Sequence, residues 1–180
     1  MALDIYFTIG DVEGNVTNMN HKGWIALETC DWGLARTRRR GEGGQAGAAL
    51  TAGNEIRATK LVGLETSALM ALCASGRVCD HAEISIAPGV AKREIAKKFV
   101  RIKMTHAFIK SINAAAAHEN STIREEIVIG FRQMSFEYFI PANRDSASVD
   151  KAVESRTLSF DFAAQAVTEM DSEKATVEQA

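Results

Sequence analysis

Few side chains in this sequence have the types and spacings that chemistry requires. The four histidines lie in separate segments, and the pair Cys79 and His81 could bind a metal ion only with ligands from distant parts of the chain. Glu125 and Glu126 are acidic neighbours, but adjacent residues of a strand point to opposite faces of a sheet. The chain also lacks a phosphate-binding loop followed by Lys-Ser/Thr and a Gly-x-Ser-x-Gly nucleophile motif. We therefore predict a protein that is not an enzyme, with no catalytic, cofactor-binding or metal-binding residues, whose function is carried by surfaces.

The segment from Arg36 to Gly53 has the most unusual composition of the chain, because four arginines are followed by five glycines. The arginines lack the interleaved aromatic residues of a single-stranded nucleic-acid site, and a net charge of −2 argues against a general nucleic-acid-binding protein. Such a segment cannot build its own core, so in isolation it should be a long mobile loop or a β-arm. A loop of this length in a compact domain usually has a function, although a disordered surface loop has a similar composition.

Alternation of apolar and polar residues predicts strands over much of the remaining chain. The longest run, Thr122–Ile140, changes its apolar phase near Gly130 or Gln133, which indicates a β-bulge. The next longest, Phe99–Ile112, should pair with it as an antiparallel hairpin and keep its even-numbered apolar residues on one face. The other predicted strands are Leu3–Ile9, Trp24–Arg36, Asn54–Val62, His81–Ile86 and Leu158–Phe162.

Glu65–Val78 is the one segment that predicts a compact α-helix. Thr66 can cap its first turn, and Gly76 stands where a left-handed residue would close the last turn. Residues 68–74 are apolar without interruption, so we expect the helix to be buried on most faces. The predicted fold is therefore mainly β: an antiparallel β-barrel of two packed sheets with one short α-helix and an extended Gly-rich loop. The alternative is an ordinary core helix in a mixed domain.

Length and composition favour one soluble domain. The 180 residues and a hydrophobic fraction of 46% can supply a sizeable core. The N-terminal segment has no basic region followed by a long apolar run, so we expect no signal peptide, and no stretch is long enough to span a bilayer. These features predict a protein made in the cytoplasm. The three cysteines fit no metal-binding spacing and should be reduced and packed.

The order and spacing of these motifs resemble the haemolysin-coregulated protein (Hcp) family over roughly residues 1–164. The segment His21–Ile25 resembles the second-strand signature of that family, and the Gly-rich segment lies where the family has its extended loop. Glu65–Met70 resembles its helix motif, although Ser67 replaces a proline often found there. The final third matches in layout, and the strand Leu158–Phe162 also has a counterpart.

The resemblance implies a structural protein whose hexameric rings stack into the inner tube of a type VI secretion system. A contractile sheath would drive this tube, tipped by a spike, into a target cell, and the tube lumen can carry effectors. The implied partners are other copies of this chain, the sheath, the spike and effectors, with no nucleic acid and no insertion into a membrane. The protein would leave the cytoplasm through this machine, into the extracellular space or the target cell. Residues 1–164 would form the barrel domain and residues 165–180 an acidic C-terminal tail.

Two sets of residues are candidates for contacts within such a tube. Strands with apolar residues on both faces are candidates for the interface between subunits of one ring. The Gly-rich segment should become ordered only on a partner, which in a stacked tube is the next ring. Its arginines would meet acidic side chains there, such as Glu83, Glu125, Glu126 or those of the tail. The subunit-interface candidates are Trp24, Ile25, Leu27, Glu125, Ile127 and Ile129, and the inter-ring candidates are Arg36, Arg38, Arg39, Arg40, Glu42, Gln45 and Leu50.

The sequence also leaves two other functions open. A phage-type tail tube protein shares the architecture and differs in its genomic neighbours. A small β-barrel that binds an apolar ligand or an effector would be a monomer, so the mass of the purified protein separates it from a hexamer.

Replacing Cys30, Cys73 and Cys79 by serine or alanine should leave ring assembly intact. Cys30 should share a strand face with Trp24 and Cys73 should lie in the helix, and neither has a basic neighbour that would lower a thiol pKa. Some loss of stability is expected where a thiol is buried. Gel filtration of the triple variant tests this expectation. Loss of rings in a variant with an unchanged circular dichroism spectrum would contradict it and assign a role to a thiol.

Overall fold

The computed structural model describes residues 3–40, 46–88, 100–116, 122–139 and 155–171. Those residues form twelve β-strands, one α-helix and one 3-10 turn, which confirms the predicted mainly β fold. The helix α1 spans Glu65–Ser75, and the 3-10 turn spans Met19–His21. The strands are β1 (Leu3–Ile9), β2 (Ile25–Leu27), β3 (Thr29–Asp31), β4 (Ala35–Arg40), β5 (Ala46–Ala52), β6 (Glu55–Leu61), β7 (Cys79–Pro88), β8 (Val100–Ala115), β9 (Arg124–Gly130), β10 (Gln133–Phe139), β11 (Ser155–Asp161) and β12 (Ala166–Asp171).

Seven of these strands form a circuit in which antiparallel pairings join all neighbours except β2 and β3, which follow each other in the chain. β1 pairs with β7, β7 with β8, β8 with β9, β9 with β6 and β6 with β3, while β2 pairs with β1. Only Glu28 separates β2 from β3, and its N–H donates to the carbonyl of Thr59 in β6 at 2.7 Å. The first sheet contains β2, β1, β7 and the first part of β8, and the second sheet contains the rest of β8 with β9, β6 and β3. β10, β11 and β12 extend the first sheet outward from β8. The predicted antiparallel barrel of two packed sheets is thus confirmed.

β8 crosses between the two sheets at a corner near His106. Residues up to Thr105 pair with β10, whereas residues from Phe108 onward pair with β9. His106 between them has a φ of 51°, a left-handed conformation that is uncommon for a residue with a side chain. An irregular residue at such a point bends the strand and redirects its side chains, as in a β-bulge. A single strand therefore serves both sheets.

The bend changes which residues of β8 point into the core. Ile102 and Met104 are buried, as predicted, but the next buried residues are Ala107 and Ile109. One extra residue shifts a period-two pattern by one position, so even-numbered residues face the core before His106 and the odd-numbered Ala107 and Ile109 face it afterwards. A second register shift between Ile109 and Ser111 brings the even-numbered Ile112 back against the core. The prediction that the even-numbered residues keep one face along the whole strand is therefore wrong between these two irregularities.

Two predicted strands are interrupted where the chain passes between sheets. Thr122–Ile140 contains β9 and β10, separated by Phe131 and Arg132, and the predicted phase change lies at this break. Trp24–Arg36 is not one strand but contains β2, β3 and the start of β4, which pair with three different strands, β1, β6 and β5. Each piece keeps its own period of two, so alternation predicts strand but does not reveal that the partner changes.

The hydrophobic core lies inside the circuit and is built mainly from aliphatic side chains of both sheets. α1 adds two leucines to it, Leu69 and Leu72, so that helix and sheets share one core. The fully buried members include Phe7, Ile9, Ile25, Ile56, Leu69, Ile84, Ile102, Met104, Ile127 and Ile129.

Helix α1 contacts this core along one face only. Leu69 and Leu72 are buried, whereas Ala68 and Met70 are exposed, so the prediction of a helix buried on most faces is wrong. Many of its apolar residues are alanines, which expose little apolar surface and therefore cost little in contact with water. The predicted end is confirmed, since Gly76 has a φ of 62° in the left-handed region.

Four buried polar side chains, here called the lysine cluster (Lys60, Glu65, Thr66 and Glu125), fasten α1 to β6 and β9. Nζ of Lys60 lies 2.7 Å from Oε1 of Glu65 and 2.7 Å from Oε1 of Glu125. Nζ also donates to the carbonyl of Leu61 at 2.7 Å, and the hydroxyl of Thr66 donates to Oε1 of Glu125 at 2.9 Å. One ammonium group thus holds together two carboxylates that are distant in sequence.

The start of α1 differs from the prediction because Thr66 belongs to this cluster. The N-cap residue is Leu64, which makes no side-chain capping bond. Thr66 instead accepts a hydrogen bond from the N–H of Gly63 at 3.0 Å. The threonine therefore stabilises the turn that precedes the helix while its hydroxyl bonds to a strand.

β12 lies within the range predicted to be an acidic tail. Ala166–Asp171 pairs with the full length of β11, so the first residues of that range extend the sheet. Residues 172–180 lie outside the described residues. The domain boundary at residue 164 stays a prediction.

Lys60→Met should lower the free energy of unfolding by about 3–5 kcal/mol, because it leaves two buried carboxylates without their cation. Arg57→Met is a matched control on the same strand. Nη1 of Arg57 lies 3.5 Å from Oε1 of Glu126 in an exposed pair, whose loss should cost less than about 1 kcal/mol. Urea denaturation followed by circular dichroism measures both variants. Equal losses would contradict the importance of the lysine cluster.

Candidate functional site

The described residues of the Gly-rich segment form a two-stranded antiparallel sheet, here called the arm (residues 35–40 and 46–52). β4 pairs with β5, with Ala35 opposite Ala52 and Arg36 opposite Thr51, and the register shifts between Arg38 and Arg40. Within the described residues neither strand pairs with any other strand. Of the two predicted forms, a mobile loop or a β-arm, the structure has the β-arm.

The predicted inter-ring residues are distributed along this arm. Arg36 is exposed near its base. Arg38, Arg39 and Arg40 lie in β4 and Leu50 in β5. The remaining two candidates, Glu42 and Gln45, lie outside the described residues. Contact between the arm and another ring stays a prediction.

Two glycines allow the base of the arm to approach the chain that leads into it. Gly53 has a φ of 137°, and a Cβ atom there would lie 2.2 Å from the carbonyl oxygen of Gly33. A Cβ atom at Gly33 would have no neighbour within 4 Å. The backbone of Gly53 therefore approaches Gly33 closely, and Gly53 is the one of the two that cannot carry a side chain.

A glutamine that the sequence analysis missed links the arm to the barrel. Oε1 of Gln165 accepts from the N–H of Thr51 at 2.7 Å, and its Nε2 donates to the carbonyl of Thr51 at 3.2 Å. Nε2 also donates to the carbonyl of Phe162 at 2.7 Å. No local sequence signal identifies this contact, because the two residues lie 114 positions apart.

The subunit-interface candidates are mostly inside the protomer. The side chains of Ile25, Ile127 and Ile129 are fully buried in the core, and Leu27 is 8% exposed. Glu125 belongs to the lysine cluster. These side chains contact their own chain, so a subunit contact at β2 or β9 would use backbone edges or outward-facing neighbours such as Ala26, which is exposed. Their role at an interface stays a prediction.

Trp24, the remaining interface candidate, packs against the buried His21. The ring of His21 stacks on Tyr6 with centroids 4.4 Å apart and meets the edge of Trp24 at 4.8 Å. Nε2 of His21 lies 2.9 Å from the hydroxyl of Ser85 on β7. Burial is also the main cause that raises the pKa of Tyr6. The signature at His21–Ile25 therefore fastens the loop after β1 to the barrel wall.

Of the acidic residues proposed to meet the arginines, Glu125 is excluded as a surface group by its burial in the lysine cluster. Oε1 of Glu83 lies 3.1 Å from Nε of Arg101 and is largely buried. Glu126 is more accessible, since its pair with Arg57 is exposed. The surface available to the arginines is therefore smaller than the sequence suggests.

An open depression of about 450 Å³ lies beside the corner of β8. Phe108, Phe131 and Phe162 give it an aromatic lining, and His106 and Arg132 add polar groups. It would be the place to look for a ligand if the protein were a small binding module.

The three cysteines are free thiols, and Cys79 is buried. Burial raises the pKa of the Cys30 thiol to about 12, and burial is also the main cause that raises the pKa of Cys79. In the part of the chain that the structure describes, no group of His, Cys, Asp and Glu side chains is arranged to hold a metal ion. None of the helices described there is long and apolar enough to cross a membrane.

Comparison with known proteins agrees with this geometry. No curated protein sequence matches the chain. Three solved structures share the fold at 16–22% sequence identity. A type six secretion system protein has a TM-score of 0.72 and 22% identity over 93% of this chain and 100% of its own. Hcp1 from Salmonella typhimurium has a TM-score of 0.69 and 16% identity over 94% and 100% of the two chains. A type VI secretion system effector from Yersinia pestis has a TM-score of 0.63 and 20% identity over 88% and 99%.

Residues 6–138 match the protein family described as "Type VI secretion system effector, Hcp". The match spans most of the chain and includes the circuit of strands, α1 and the arm. The chain therefore belongs to the Hcp family and is a tube/effector protein of the type VI secretion system.

Proposed function

We propose that this protein forms hexameric rings that stack into a tube, and that the arm makes the contact between successive rings. Membership of the Hcp family is the observation that carries the proposal. The arm supports it, since among the described residues its strands pair only with each other, and apart from Thr51, which bonds to Gln165, no strand contact occupies their outer edges. The protein is then a structural component rather than an enzyme.

The remaining partners follow from the same proposal. A contractile sheath surrounds the tube, a spike caps it and effectors occupy its lumen. The protein is made in the cytoplasm and leaves through the secretion machine into the extracellular space or the target cell. It binds no nucleic acid and does not insert into a membrane.

A binding module is the second candidate, favoured by the aromatic depression beside the corner of β8. Its mass in solution distinguishes the two candidates. A hexamer supports the tube protein, whereas a monomer that binds apolar compounds at this depression supports the module.

Deleting residues 41–47, or changing Arg38, Arg39 and Arg40 together to glutamate, should preserve hexamers and abolish stacking and secretion. The deletion removes the first two residues of β5 and the residues between β4 and β5 in the sequence, and the charge reversal removes the positive charge of β4. Gel filtration reports the hexamer and negative-stain electron microscopy reports tubes. Arg77→Glu is a control for charge alone, because Arg77 is exposed at the end of α1 in a 3.5 Å pair with Asp11.

The outcomes of this experiment separate shape from charge. Exposed ion pairs are weak and screened by salt, so stacking should also loosen as ionic strength rises if the arginines matter. If the deletion abolishes tubes while salt and the charge reversal leave them unchanged, the shape of the arm rather than its charge makes the contact between rings. Normal tubes in the deletion would refute the role of the arm.

Ala26→Glu should convert rings to folded monomers if β2 lies at the subunit interface. Ala26 points outward between two buried residues, so a carboxylate there reaches solvent in the monomer and is desolvated only in a subunit contact. Ala74→Glu on the exposed face of α1 is the matched control. Gel filtration with circular dichroism distinguishes the variants. An intact ring with Ala26→Glu would remove β2 from the interface.

A further inference from the structure

We propose that Gln165 is a positioning residue that fixes the direction of the arm relative to the barrel. Its consequence for stacking rests on the proposed function, but the contact itself is a property of the protomer. The proposal stands on the paired hydrogen bonds to Thr51 and on the network that holds Gln165 in place.

The side-chain amide of Gln165 acts on Thr51 as a neighbouring strand would. It accepts from the N–H and donates to the carbonyl of the same residue, at 2.7 and 3.2 Å. In an antiparallel pair both backbone groups of one residue point to the same side. Both backbone groups of Thr51, which lies opposite Arg36 in the arm, bond to Gln165 and therefore point away from β4. The outer edge of the arm is thus paired at its base.

Gln165 is itself held in a rigid turn between β11 and β12. Its φ of 53° lies in the left-handed region, which only a well-supported turn maintains in a residue with a side chain. Oδ1 of Asp161 accepts from the N–H groups of Ala163 and Ala164 at 2.8 and 2.9 Å. The bond from Nε2 of Gln165 to the carbonyl of Phe162 fixes the amide. The side-chain amide of Gln165, here called the clamp, therefore has little conformational freedom even before it bonds to Thr51.

A chain of side-chain bonds connects this turn to the corner of the barrel. The hydroxyl of Thr105 donates to Oε1 of Gln133 at 2.9 Å, and Nε2 of Gln133 donates to Oδ2 of Asp161 at 2.7 Å. The bond from Gln133 is the main cause that lowers the pKa of Asp161, so the carboxylate stays ionised and accepts strongly. Thr105 directly precedes His106, where β8 bends. The arm is thereby connected, through Asp161 and Gln133, to the corner of β8.

The arm needs a contact that fixes its direction, because its connections to the barrel are short and contain glycine. Gly33 precedes β4, and Gly53 follows β5 with a φ of 137°. Glycine has more backbone freedom than any other residue, so these points can act as hinges. An arm held in one direction loses less conformational entropy when it docks, and binds more tightly for that reason.

Hydrogen exchange and tube assembly together test the proposal. In hexamers of Gln165→Ala, the amide of Thr51 should exchange about tenfold faster, because it loses its only acceptor among the described contacts. The protein concentration needed for tubes should rise by a similar factor, since the arm must be ordered on docking. Gln165→Glu keeps an acceptor for the N–H but loses the donor, so its effects should be intermediate. Thr168→Ala, exposed on β12, is the matched control and should resemble the unmodified protein.

The outcomes distinguish this inference from the proposed function. Unchanged exchange at Thr51 in Gln165→Ala, or the same increase in Thr168→Ala, would overturn the clamp. Faster exchange with an unchanged tube threshold, while deletion of residues 41–47 abolishes tubes, would overturn the positioning role and leave the arm as the stacking contact. Faster exchange together with normal tubes in the deletion variant would refute the function of the arm and support the clamp as a structural contact only.

Discussion

The architecture depends on one constraint: β8 must belong to two sheets at once. A straight strand of this length would leave one half without a partner, and unpaired backbone groups are costly when buried. The left-handed backbone at His106 lets the strand turn, and the break between β9 and β10 lets its partner turn with it. The pairing is thereby continued on both sides of the corner. The circuit then closes through Glu28, and the central edges disappear.

The lysine cluster stabilises the barrel at the point where α1 meets β6 and β9 of the second sheet. A buried ion pair contributes little net stability, because desolvation offsets most of the attraction. Its geometry is specific, however, since Lys60 must meet Glu65 on α1 and Glu125 on β9 at the same time. A displaced helix would leave these charges unpaired in the interior. We therefore interpret the cluster as a device that selects one docking position for a helix whose apolar face is narrow.

The arm has the opposite character, since it lies outside the barrel and has no core. Its backbone pairing is internal, and its attachment is polar, through the amide of Gln165 and the turn stabilised by Asp161. A closed barrel with one attached arm suits a protein that assembles into repeating contacts. The barrel provides a packed core, and the arm provides a surface outside that core.

The sequence by itself determined the kinds of elements in this protein. Alternation identified β1, β6, β7 and β11, Gly76 identified the end of α1, and the arginine–glycine composition identified the arm. These are local properties, because period and backbone freedom depend on neighbouring residues. Order and spacing of the same motifs were enough to suggest the family.

Only the tertiary structure decided which of these elements touch. Periodicity states which residues share a face but not which strand lies opposite, so it did not reveal that β8 changes partner or that five interface candidates face their own core. The contacts of Lys60 with Glu125 and of Gln165 with Thr51 join residues 65 and 114 positions apart. Such contacts form only after strand register and sheet closure have brought the segments together, because no local preference acts over that distance.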